Sequence, residues 1–148
     1  MNGPMTSGAT PQTAQTARVL HAALLGGLLA ISAVFLVLAF GAHAAPLIVA
    51  RTTTVTIGYL LAGCAMISIV TGVGVLKPRV PPRTSGQDDA AFWLVALGPV
   101  MSVWAIVEGA GIMAAVGALL TGLLAPAIVV VIALGCLVMF RPGYFESA

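Results

Sequence analysis

From Ala90 to Phe140 the chain carries one charged residue, Glu108, in an otherwise apolar stretch. That run is far too long for a buried soluble helix, and it belongs with two further apolar runs nearer the N-terminus. Four spans follow: about 19–43, 55–76, 91–118 and 124–140. Each is expected to be long enough for a bilayer core, which requires roughly 20 helical residues. Backbone groups in lipid must be satisfied within the segment, so the spans are expected to be helices. No period-two alternation supports a barrel.

Composition agrees, with 60% hydrophobic and 7% charged residues. Soluble domains carry about 25% charged residues. A net charge of +2 without a basic cluster excludes a nucleic-acid-binding reading. Cys64 and Cys136 lie in apolar runs without metal or redox spacing and read as packing residues.

The span ends carry ordinary punctuation. Ala42–Pro46 closes the first, and the Pro-rich charged segment Leu76–Asp89 follows the second. Asp88 and Asp89 suit a helix N-terminus. Leu119–Gly122 reads as a tight hairpin, and Phe140–Gly143 stops the last helix. Arg18, the first apolar run and Ala42-His43-Ala44 imitate a signal peptide. The run exceeds the about 7–15 residues of a secretory core, so a retained first helix is expected.

Basic residues set the orientation. Arg18, Lys77, Arg79, Arg83 and Arg141 fall on one side of the four spans, and Arg51 alone on the other. The expected architecture is an all-α membrane protein of four transmembrane helices arranged as two helical hairpins, both termini cytoplasmic, in the inner (plasma) membrane. Residues 1–16 read as a disordered cytoplasmic tail, 17–142 as the bundle and 143–148 as a short cytoplasmic tail.

In lipid, helices associate through close packing of small residues. Gly26, Gly27, Gly109, Gly111 and Ala115 are the candidate packing positions, within the bundle or towards a second copy or another membrane protein. "ALLGGLLAISAV" (Ala23–Val34) aligns without gaps on "AIVEGAGIMAAV" (Ala105–Val116), placing Gly26 opposite Glu108. Duplication and the ease with which Ala/Gly-rich helices align both explain this.

Glu108 is the candidate ion-binding residue. A charged acid at a helix centre costs about 2.5–3.5 kcal/mol on insertion scales, and no Lys or Arg within a span could offset it. Ser32, Tyr59, Ser68, Thr71, Ser102 and the Trp104 indole are the available donors. One reading has Glu108 bind a proton or cation; the other has it hydrogen-bond a neighbouring helix. His21 and His43 stand 22 residues apart, about 33 Å along a helix, and cannot share a metal or haem. They read as interfacial residues. Pro99 is expected to kink the third helix. Phe92, Trp93, Tyr144 and Phe145 read as an aromatic belt. No catalytic constellation, phosphate loop or metal cluster is present in the sequence, so neither an enzyme nor a cofactor is expected.

"RVLHAALLGGLLAISAVFLVLAF" (Arg18–Phe40) resembles the opening helix of small, uncharacterised bacterial four-span membrane proteins. "WAIVEGAGIMAAVGALLTG" (Trp104–Gly122) and "FRPGYFE" (Phe140–Glu146) resemble their second half. That resemblance implies a four-span fold and no activity. More distantly, Ala/Gly-rich helices with one buried acid resemble the proteolipid c subunits of rotary ATPases, which would make Glu108 the proton-carrying carboxylate. Here the acid lies in the first helix of its hairpin, whereas c subunits carry it in the second.

Overall fold

The computed structural model describes residues 12–41 and 51–147. Most of these residues are helical, with no strand among them. α1 (Gln12–Leu36) widens into a π-type turn at Val37–Gly41. α2 (Arg51–Thr71) widens likewise at Gly72–Leu76 and tightens into a 3-10 turn at Lys77–Arg79. α3 (Asp89–Thr121), α4 (Leu124–Met139) and the short α5 (Pro142–Glu146) follow. Three stretches, Thr13–Gly41, Thr52–Arg79 and Asp89–Thr121, are long and apolar enough to cross a membrane; Leu124–Met139 is apolar and shorter. The expected tail up to residue 11, the Ala42–Pro46 terminator and His43 lie outside the described residues.

α1 starts well before the expected Val19. Its first turns look polar, yet Ala14 and Ala17 bury, and Thr13 Oγ1 donates to the Ala90 carbonyl at 3.4 Å. The chain past Arg141 departs from expectation too, because residues 142–146 form α5 instead of a free tail. α3 runs through Pro99 without a break in helix. Asp88 precedes α3 in extended backbone, and its side chain makes no capping hydrogen bond.

α3 is the common partner: α1, α2 and α4 all pack on it, whereas α1 and α2 share no extended contact among the described residues. Both helices of the first pair lie against α3. Small residues permit the close approach. A methyl at Gly111 would come within 2.7 Å of Leu28 in α1 and 3.1 Å of Ala133 in α4. One at Gly117 would meet Leu61 of α2 at 3.2 Å and Pro126 of α4 at 3.3 Å. α1 and α3 run in the same direction, since Thr13 meets Ala90 and Leu28 meets Gly111.

The expected turn between α3 and α4 is present, three residues later than the estimated end at 118. Gly122 takes the left-handed conformation (φ 64°) that glycine adopts without side-chain strain, and its N–H donates to Ala118. Thr121 Oγ1 donates to the Gly117 carbonyl at 2.6 Å and accepts from Leu123 N at 3.3 Å.

Candidate functional site

Glu108 projects from α3 against the backbone of α1. A methyl added at Gly27 would sit 3.7 Å from Glu108 Oε1, an ordinary contact distance that places the carboxyl beside this residue. The side chain is half-buried. Among the described residues it receives no hydrogen bond and no ion pair.

None of the donors nominated from the sequence serves it. Ser68, Thr71 and Ser102 donate to carbonyls four residues back in their own helices, those of Cys64, Ile67 and Gly98. The Trp104 indole donates to the Phe140 carbonyl at 2.7 Å. Tyr59 is exposed, and Ser32 Oγ is buried with no partner. Serine and threonine in helices readily bond their own i−4 carbonyls, which accounts for three of these misses.

Trp104 fixes the level of the acid. It lies one turn before Glu108, about 6 Å along α3, and meets Phe140 where α4 has ended. The Thr121 end of α3 lies about 20 Å the other way. Glu108 is thus central in α3 but close to the charged end of α4.

Beside Glu108, one face of α3 is uncovered. Gly98, Ser102, Ala105 and Gly109 are all exposed at helical spacing, in the gap that α1 and α2 leave between them. The five sequence-nominated small residues divide accordingly. Gly111 and Ala115 are buried in the bundle, Gly27 faces the Glu108 carboxyl, and Gly26 and Gly109 are exposed with nothing near them. Cys64 is also exposed, so it is not an internal packing residue; Cys136 is half-buried.

A second polar centre, missed from the sequence, closes the charged end. α4 leaves its last carbonyls without helical donors. His21 Nε2 donates to the Leu137 carbonyl at 2.8 Å, and Trp104 Nε1 caps Phe140 as described. The two rings meet edge to face at 4.9 Å. His21 is therefore a buried capping residue and does not sit at an open interface.

Above them, Glu146 Oε1 accepts from Trp93 Nε1 at 3.1 Å and from Arg18 Nη2 at 3.3 Å. Arg83 donates to the Glu146 and Gln87 carbonyls and pairs with Asp89 at 2.6 Å. Phe92, Trp93 and Phe145 are at most 4% exposed, which corrects their reading as an exposed belt. Phe92 packs on Trp93 and Trp93 on Trp104, while α5 brings Phe145 against the Trp104 ring. Tyr144 and Phe140 lie beneath the Lys77 ammonium, at 5.0 and 5.7 Å. The Arg-Pro-Gly stop followed by two aromatics was the available signal that the chain turns back to bury something.

Among the described residues, no three His, Cys, Asp or Glu side chains lie close enough to hold a metal ion. Comparison with protein-family models, curated proteins and solved structures finds no match for this chain.

Proposed function

We propose that this chain is a small multi-pass inner-membrane protein of structural or accessory type, associating with a second copy or another membrane protein. Both termini face the cytoplasm, where the excess of Arg and Lys belongs. The observation that carries the reading is the uncovered α3 face of Gly98, Ser102, Ala105 and Gly109. Small residues let a helix backbone approach closely, and lipid tails fill such a stripe less well than a packed helix does. Glu108 borders this face without a hydrogen-bond partner among the described residues, so a docked helix offering a polar group would satisfy it.

A photo-crosslinker placed at Ala105 in native membranes tests this. A discrete protein adduct is expected, and Gly109→Leu should abolish it while leaving the folded monomer intact. Adducts with lipid alone would overturn the reading.

The same unpartnered carboxyl favours a second reading, a proteolipid-like subunit binding a proton or cation at Glu108. It expects carbodiimide to label Glu108 specifically, with labelling that fades as pH rises. Glu108→Gln would then abolish ion flux in proteoliposomes. Under the association reading, labelling appears only when the partner is removed.

A further inference from the structure

We propose that the cavity between the start of α1 and the start of α5 binds a phosphate group, that of an anionic phospholipid headgroup. Arg18, His21, Arg141, Pro142, Gly143 and Glu146 line a space of about 450 Å³. That lies within the range of small-ligand sites, roughly 300–1,000 Å³. Two arginines from opposite ends of the chain line it. Arg141 is exposed and has no ion-pair partner among the described residues. Arg18 commits one nitrogen to Glu146 at 3.3 Å and is otherwise open, its side chain 61% exposed. Arg carries five N–H donors in a planar fork suited to phosphate oxygens, so most of this capacity is unused.

The charge balance is specific. Two arginines face the single carboxylate of Glu146, which already accepts from both Trp93 and Arg18. One positive charge remains, the complement of one phosphodiester. The neighbouring cavity lined by Arg83, Asp88, Asp89 and Glu146 has the opposite character. Its arginine is spent on Asp89 and backbone carbonyls, and Asp88 is left over, so it repels an anion.

Position points to lipid as the source. Val19, next to Arg18, and Val138 and Met139, just before Arg141, are 60%, 57% and 57% exposed. The basic cavity therefore opens where an apolar outer wall gives way to charge, the level of a headgroup whose acyl chains lie along that wall. A free phosphate would use the same donors without needing the wall.

The test is a thermal-unfolding titration of the detergent-solubilised full chain with phosphatidylglycerol, phosphatidylcholine or inorganic phosphate. The wild type should be stabilised in a saturable manner by phosphatidylglycerol and not by phosphatidylcholine. Arg141→Gln should weaken that binding about tenfold or more, the scale of one charge-assisted contact. Arg79→Gln, an exposed arginine outside the cavity, should leave it unchanged. Saturation by inorganic phosphate alone, sensitive to Arg141→Gln, would keep the phosphate site and overturn the lipid source. Stabilisation equal in both lipids, or insensitive to Arg141→Gln, would overturn the proposal.

Discussion

Replacing Gly111 by alanine puts one methyl group into the junction of α1, α3 and α4. That methyl would stand 2.7 and 2.8 Å from two Leu28 methyls and 3.1 Å from Ala133 Cβ. Favourable carbon contacts lie at about 3.5–4.0 Å. The leucine can change rotamer, but Ala133 retreats only if α4 moves. Overpacking of this kind costs about 1–3 kcal/mol, against which alanine's helix propensity returns about 1 kcal/mol. Gly111→Ala should therefore destabilise by up to about 2 kcal/mol. Gly109→Ala, two residues away with nothing within 4 Å, should be neutral or stabilising by up to about 1 kcal/mol. Leu28→Ala opens a cavity that the new methyl partly fills, so the double variant should couple favourably by about 1 kcal/mol. Unfolding of the monodisperse protein in denaturing detergent, followed by tryptophan fluorescence, measures all four. A Gly111→Ala chain more stable than wild type, or additive behaviour with Leu28→Ala, would refute the three-helix junction.

Trp104→Phe keeps a ring against His21 but removes the donor to Phe140, leaving a buried carbonyl unpaired. It should cost about 1–3 kcal/mol in the same unfolding assay. Ser32→Ala removes a buried hydroxyl that bonds nothing, so stability should hold or rise by about 1 kcal/mol. Truncation after Arg141 removes α5 and its cover over Trp93 and Trp104. Emission should shift to the red and acrylamide quenching should increase; unchanged spectra would show that α5 does not shield the indoles.

The helices were legible because lipid-compatible runs announce themselves, and the Thr121–Gly122 turn because glycine there has a conformational reason. Helix ends were less so. Gln12–Thr16 reads as polar tail, yet it is helical and Ala14 is buried there. Glu108 could be singled out by charge alone. Its neighbour Gly27 could not, since the pairing depends on the relative rotation of two helices. The His21–Leu137 and Trp104–Phe140 bonds join residues 116 and 36 positions apart, and no local pattern encodes them. Interfacial aromatics and buried ones share a sequence signature, and only the return of α5 tells them apart.

The dependence of α1, α2 and α4 on α3 carries a consequence for biogenesis. A chain emerges from the ribosome N-terminus first, and helices in lipid insert before they associate. Among the described residues α1 and α2 share no extended contact, so a chain ending before α3 should lack most of the packing of its first two helices. That packing should be completed only once α3 is present. α4 and α5 then arrive, and the rings from α1 and α3 cap the end of α4.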